Sequence, residues 1–473
     1  MPTQISRDLQ TNIEHFNLLF AVDKNFDILT KTILIGDKRA CLYIVTGFSN
    51  DTLIQRVLEY LYCLDSEKTP DNAYDFSKTC IPFASTSLAS DEESIVTALL
   101  SGLTCLFIDG FNSCILIECR AYPARGVQEP DKDKVLRGSR DGFVEALMTN
   151  AALIRRRIRD PKLILESFQV GERSSTDIAV TYISDRVDHA FLEEVKERIS
   201  NLKVDALSMN HESLAECLYP YKWINPFPKF KYSERPDTAA AAVLEGNIVI
   251  LIDNSPSCMI LPSSLFDIIE EADDYYFPPV TGTYLRIIRF IITFLTVFTT
   301  PLWLLLTMNP EWLPSFLEFT KIKEVINIPL YFQLLILEFG IDGLKLAAVN
   351  TPNMLSTPLS VITGLVLGEF SVKSGWFNSE TMLYMAFVAL ANYTQSSYEL
   401  GYALKFMRLI ILTLTALFNA WGFFIGSAIT ILAIVLNKTI SGHSYIYPLI
   451  PLDWKNLSRR FFRMRLPHTV EKK

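Results

Sequence analysis

Five stretches between residues 284 and 437 constrain this chain more than any other feature. Phe290–Pro310, Val325–Leu337, Leu346–Gly368, Thr381–Tyr398 and Leu409–Asn437 contain no Asp, Glu, Lys or Arg. A helix crosses a hydrocarbon core with about 20 apolar residues, so these stretches predict membrane helices. Residues 1–283 are an ordinary polar and apolar mixture. The expected fold class is therefore an α/β duplicated cytoplasmic domain followed by an all-α polytopic transmembrane domain.

The formal net charge of -8 comes from the N-terminal half, which makes nucleic acid an unsuitable partner. The C-terminal end is basic instead: Lys455, Arg459, Arg460, Arg463, Arg465, Lys472 and Lys473 face only Asp453 and Glu471. Such a tail next to membrane segments predicts a cytoplasmic position near anionic lipid. Met1–Gln10 lacks the apolar core of a secretory leader, so the N-terminal half is expected in the cytoplasm. All eight cysteines lie in that half, none in a CxxC pair and most inside apolar runs. They read as buried reduced thiols, and no metal or cofactor is expected.

The N-terminal half repeats itself. Ala98-Leu-Leu-Ser-Gly102-Leu-Thr-Cys-Leu-Phe-Ile108-Asp109 aligns with Ala242-Val-Leu-Glu-Gly246-Asn-Ile-Val-Ile-Leu-Ile252-Asp253, and Cys114 then aligns with Cys258. The offset stays at 144 residues, from Asp109 to Asp253. Each copy predicts a helix end, a Gly turn, a buried strand ending in Asp, and a second strand. Upstream, β-rich runs at 41–46 and 179–184 each precede an amphipathic helix, around 51–64 and 188–202.

These patterns divide the chain into an N-terminal segment (1–30), two α/β subdomains (31–130 and 169–280) joined by a helical connector (131–168), a transmembrane domain (281–440) and a basic tail (441–473). In the connector, the run from Arg137 to Asp160 is helical until Pro161 stops it. Arg155, Arg156 and Arg157 have two readings: a solvated basic face, or a docking surface for another subunit or lipid phosphate. Consecutive residues point in different directions around a helix, so one groove cannot use all three.

In the membrane half, spans are expected at about 286–308, 326–348, 357–373, 380–398 and 404–437, with Pro352 and Pro358 bracketing a break. Five full crossings would separate the basic tail from the N-terminal domain, against the positive-inside rule. The expectation is four crossings plus a re-entrant third or fourth segment. Gly364–Gly368 and Gly422–Gly426 have the spacing that lets helices approach closely. Ionisable residues stand out here: Glu338, Asp342 and Lys345 share one helical stripe, and Glu369 lies four residues before Lys373. Groups of this kind are costly in lipid unless paired or facing water. They read either as internal salt bridges or, for Glu338, Asp342 and Glu369, as the acidic lining of a cation pathway.

No Walker A, GxGxxG, HExxH or GxSxG pattern occurs, and the five histidines are scattered, so no enzyme is expected. Three strings carry a resemblance: Val170-Gly171-Glu-Arg173-Ser-Ser-Thr176-Asp177-Ile-Ala179-Val180, Tyr232-Ser-Glu234-Arg235-Pro236-Asp237-Thr-Ala-Ala240-Ala-Ala-Val-Leu244-Glu245-Gly246, and Ile252-Asp253-Asn-Ser255-Pro256. They resemble the A-subunit family of bacterial spore germinant receptors, the GerA family, over about 170–455. The resemblance implies a multi-pass protein of the spore inner membrane that acts in germination as a homo-oligomeric cation channel. It also implies partners: permease-like B and lipoprotein C subunits, or a small membrane protein. A secondary transporter and a non-conducting membrane scaffold are the alternatives.

Overall fold

The computed structural model describes residues 4–83, 85–123, 138–219, 225–322, 327–350 and 364–463. Arg137, the break at Pro352 and Pro358, and the tail beyond residue 463 lie outside the described residues. The chain forms two compact units: Met1–Tyr221 with Phe230–Pro262, and Lys222–Lys229 with Ser263–Lys473.

The N-terminal unit has two lobes. The first runs α1 (Leu9–Leu19), β1 (Ile28–Ile35), β2 (Lys38–Val45), α2 (Asp51–Tyr62), α3 (Ala73–Thr79), β3 (Thr86–Ala89), α4 (Glu92–Leu100), β4 (Thr104–Ile108) and β5 (Cys114–Ile117). The second runs α5 (Leu147–Arg157), β6 (Leu163–Val170), β7 (Thr176–Ile183), α6 (His189–Ser200), α7 (Asn210–Leu218), β8 (Lys231–Ser233), α8 (Pro236–Leu244), β9 (Ile248–Ile252) and β10 (Cys258–Leu261). Each lobe holds one five-stranded antiparallel sheet, ordered β1-β2-β4-β5-β3 and β6-β7-β9-β10-β8. The orders are equivalent, and α4, β4 and β5 precede α8, β9 and β10 by the expected 144 residues.

Alternation along the strands builds the first lobe's core. Cys41, Tyr43 and Val45 join Phe107 and Cys114 under α1 and α4, while Ala40 and Leu42 join Leu106 and Ile115 under α2 and α3. With both faces covered, β4 is buried at every position, hence its unbroken apolar run. Asn50, Asp91 and Asp188 cap α2, α4 and α6 by accepting from backbone N–H groups. The eight cysteines are free thiols, six of them buried; burial pushes Cys41 up to about 11.

The described parts of 1–30 and 131–168 each contribute a helix to a lobe, α1 and α5. α5 is the counterpart of α1, and each is the first helix of its lobe. Leu9 N–H donates to Asp109 Oδ1, and Leu147 N–H donates to Asp253 Oδ1, both at 3.1 Å. Asn12 and Asn150 each bind the N–H and the carbonyl of a residue six positions upstream. The aspartate closing each buried strand is therefore a side-chain cap for its lobe's first helix.

The helical unit contains α9 (Leu265–Ile269), α10 (Asp273–Tyr276), α11 (Pro279–Met308), α12 (Leu330–Asn350), α13 (Ser379–Tyr393), α14 (Tyr398–Val435) and α15 (Trp454–Phe461). Among the described residues, α11 and α14 are long and apolar enough to cross a membrane, by length and composition. At 30 residues, α11 is about 45 Å long.

α14 is not one rod. Asn419 sits at φ 55° and ψ -131°, outside helical geometry, and the chain reverses there. The two legs, 398–418 and 420–435, pack against each other. A Cβ on Gly422 would lie 1.8 Å from Leu414 O, and one on Gly426 2.8 Å from Ile411 Cα. Residues eight and fifteen positions apart meet this way only in a hairpin. At its tip, Asn419 and Asn309 exchange hydrogen bonds at 2.6 and 3.0 Å. The expected fifth span at 404–437 is thus two antiparallel legs.

Side-chain pairs give the directions of the other helices. Arg408 reaches Thr296 O and Asn419 reaches Asn309, so the first leg of α14 runs parallel to α11. Tyr331 meets Thr413 and Glu338 meets Arg408, so α12 runs the opposite way. Gln333 and Asn378 bind reciprocally at 2.8 and 3.0 Å, which starts α13 beside the start of α12. α15 returns to the start of α11: Arg286 Nη1 donates to Arg459 O at 3.0 Å, and Phe461 lies 4.8 Å from Phe290.

Candidate functional site

The helical unit carries its charge inside. Glu338, Asp342 and Lys345 lie on the inner stripe of α12, opposite Lys405 and Arg408 on the first leg of α14. Arg408 grips Glu338 through two bonds, Nε to Oε1 at 2.6 Å and Nη2 to Oε2 at 2.9 Å, and gives a third to Thr296 O at 2.8 Å. The side chains of Glu338 and Arg408 are 3% and 2% exposed. Lys405 donates to the Glu338 carbonyl at 3.1 Å and pairs with Asp342. Lys345 lies 5.0 Å from the Tyr393 ring and 5.5 Å from the Tyr402 ring. Glu338, Asp342, Lys345, Asn392, Lys405 and Arg408 share the lining of a cavity of about 10 Å³, room for one water.

A bidentate Arg–carboxylate pair out of water survives only with its remaining donors satisfied. Thr296 O takes the Arg408 Nη1 donor, and the Glu338 carbonyl takes one from Lys405. Chemically the cluster is a clamp joining α11, α12 and α14. As placed here, Glu338 and Asp342 spend their charge on bases rather than on an open path. Glu369 differs: its side chain is 52% exposed and, among the described residues, pairs with Lys373, one helical turn on. Such an exposed pair is worth little, so Glu369 remains available.

The sequence reading passed over Lys405 and Arg408. The fifth charge-free stretch begins at Leu409, and although the expected span 404–437 contains Lys405 and Arg408, neither is given a role there. Two bases three apart, inside the apolar run 400–412, facing two acids four apart, were the available signal.

The three arginines of α5 separate by direction. Arg155 has no exposed side-chain surface. It holds Asp27 through Nε at 2.8 Å and Nη2 at 2.9 Å, reaches Asn25 at 3.2 Å, and donates to Leu163 O at 3.0 Å. Asp27 and Asn25 belong to the first lobe, so Arg155 pins the lobes together and is closed to an outside partner. Arg156 lies 4.9 Å from the Tyr122 ring, and Arg157 binds Asp141 at 2.6 Å. A groove of about 460 Å³ runs between α1 and the second lobe, lined by His15, Tyr182, His189 and Lys196 among others. Its lysines are largely matched already, Lys162 by Asp185 and Lys196 by Glu166, both at 2.6 Å. His211 is buried against Ser255 at 2.7 Å and Ser257 at 3.3 Å, and burial pushes it down to about 4. No acid orients it among the described residues, so the group lacks the third member of a catalytic triad.

Two equivalent α/β lobes preceding an apolar helical unit with internal charge describe a class of protein, and the comparisons give that class a family. Residues 16–473 match the family described as Bacillus/Clostridium GerA spore germination protein, and the chain belongs to it. It is 34% identical to stage V sporulation protein AF of Bacillus subtilis (strain 168) over 465 residues, 98% of this chain and 94% of that one. It is 25% identical to spore germination protein KA of the same organism, covering 98% and 86%. With spore germination protein GerLA of Bacillus cereus it shares 28%, covering 78% and 75%. The crystal structure of the N-terminal domain of the A subunit of the Bacillus megaterium spore germinant receptor GerK3 aligns at a TM-score of 0.42 and 23% identity. That alignment covers 55% of this chain and 96% of the other. These three relatives carry the names of germination and sporulation proteins.

Proposed function

We propose that this chain is a multi-pass subunit of the spore membrane that forms a cation-conducting oligomer and transmits or amplifies the germination signal. One observation carries the membrane reading: the helical unit is polar inside and apolar outside. Glu338, Lys405 and Arg408 are buried, while Phe339, Leu390, Leu417 and Trp421 are each at least 66% exposed. Water would reverse that distribution; lipid rewards it. Aromatic residues are exposed toward both ends of the unit, Tyr284 and Trp454 at one and Trp312 and Trp421 at the other, as membrane interfaces favour.

Directions within the unit support an even number of passes. α11 leads out, α12 and α13 lead back, and α14 goes out and returns; the segment between α12 and α13, part of which lies outside the described residues, is taken as the remaining outward pass. The basic residues of α15 then sit beside the start of α11, and both ends of the unit share the cytoplasmic side. Glu338 and Asp342 serve as the internal clamp. Glu369, exposed and held by Lys373 alone among the described residues, is the acid we assign to a pathway lining once copies assemble. The germination role follows family membership.

Cation flux from liposomes holding the purified full chain tests this. The native protein leaks cations, Glu369→Gln lowers the rate several-fold with the fold intact, and Glu338→Gln acts by loosening the fold. No leak from a folded, oligomeric sample would favour a non-conducting scaffold.

A further inference from the structure

Residues 447–455, a turn running into the first residues of α15, expose large apolar side chains at a density unlike a solvated turn. Tyr447, Leu449, Ile450, Leu452 and Trp454 are all open, Leu452 at 65% and Trp454 at 74%. Pro448 and Pro451 have no backbone N–H to satisfy. The turn meets several of its remaining polar needs internally: Leu449 N–H donates to Ile446 O at 2.7 Å and Asp453 N–H to Pro448 O at 2.9 Å. The one acid is consumed as well. Asp453 accepts from Tyr447 Oη at 3.1 Å, from Asn456 Nδ2 at 2.7 Å and from Asn456 N–H at 3.1 Å. A peptide segment with its polar groups matched internally can enter an apolar layer.

Its position is held from both sides. Tyr445, fully buried, donates through Oη to Pro228 O at 2.7 Å, and α15 is tied to the start of α11 by Arg286 and Phe290. The turn thus lies level with the first turns of α11, where Val280 and Tyr284 are also exposed. Exposed Lys455 follows directly.

We propose that residues 447–455 are an interfacial wedge. The apolar side chains insert at the headgroup–acyl boundary of the bilayer that the helical unit crosses, and Lys455 meets anionic headgroup phosphate. This rests on the membrane reading above. The continuity of the turn with the apolar helix faces selects lipid as the occupant, rather than a second protein surface.

The full chain in vesicles of phosphatidylcholine and phosphatidylglycerol provides the test. The lipids are brominated either near the headgroup end or near the methyl end of the acyl chain. The fluorescence difference between the native protein and Trp454→Phe isolates Trp454, and Trp421→Phe isolates a residue on the outer face of the hairpin. The wedge predicts that Trp454 is quenched about twofold more by shallow than by deep bromine, as for a side chain buried only ~5–10 Å into the interface. Leu452→Trp in the Trp454→Phe background supplies a second reporter with the same expected pattern. Quenching of Trp421 without quenching of either reporter overturns the wedge and leaves the membrane reading standing; shielding of the turn by another copy would give that result. If no position is quenched, both readings fall.

Discussion

A guanidinium with no exposed surface must have its donors matched from within, and Arg155 finds a carboxylate, an amide and a carbonyl. Arg155→Ala leaves Asp27, itself buried, without its cation. Breaking a buried pair from one side costs about 3–5 kcal/mol, whereas replacing both members with apolar residues is often near neutral. Chemical unfolding of the purified protein therefore ranks Arg155→Ala well below the native chain, with Arg155→Met combined with Asp27→Leu recovering most of the loss. His211 carries the pH dependence. Its ordinary value near 6.5 falls to about 4 in the fold because burial penalises the cation. The unfolded chain thus binds the proton first as pH drops. The stability is fully present above 6.5 and is lost as pH falls toward 4, by about 3 kcal/mol at ~1.4 kcal/mol per unit. Unfolding measured at pH 7 and pH 5 shows about 2 kcal/mol of this loss, and His211→Gln reduces it.

Among the elements, the α14 hairpin is the sharpest case. Gly422 and Gly426 lie where its legs touch, and any side chain at Gly422 collides with the Leu414 carbonyl. Gly422→Val and Gly426→Leu therefore force the legs apart, and the purified chain loses helical thermal stability or aggregates. Gly364 and Gly368 have the same spacing but meet no described atom within 4 Å, so Gly364→Ala and Gly368→Ala leave the isolated chain's melting temperature within a degree or two. Spacing alone could not distinguish the two pairs. The strands were legible because period-two burial on a doubly covered sheet writes itself as continuous apolar runs, and the 144-residue offset exposed the second copy. The role of α5 was not legible. Its equivalence to α1 rests on two aspartate caps reached across 100 and 106 residues and on two asparagine contacts six residues upstream, which no apolar periodicity encodes. The reversal at Asn419 was hidden similarly: one residue changes conformation inside an apolar run, and hydropathy is blind to a backbone angle. Glu338 and Asp342 were visible as costly charges, but their partners lay on another helix, beyond reach of i, i+4 reasoning.

At the scale of the whole molecule, the account stands on how many times the helical unit crosses a membrane and on which side its ends emerge. In the proposed membrane reading, reversal in the fifth apolar stretch supplies one more pass and brings the end of α14 back to the side on which it starts. It also predicts a sidedness that a straight α14 does not share. The most direct measurement is thiol labelling of the full chain in sealed, oriented membranes, using single cysteines at Tyr398, Leu417 and Ser441. Exposed native Cys63 marks the side of the N-terminal unit. The hairpin predicts that Tyr398→Cys and Ser441→Cys react from the side that labels Cys63, and that Leu417→Cys reacts only from the other. Labelling of Tyr398→Cys and Ser441→Cys from opposite sides would contradict the account.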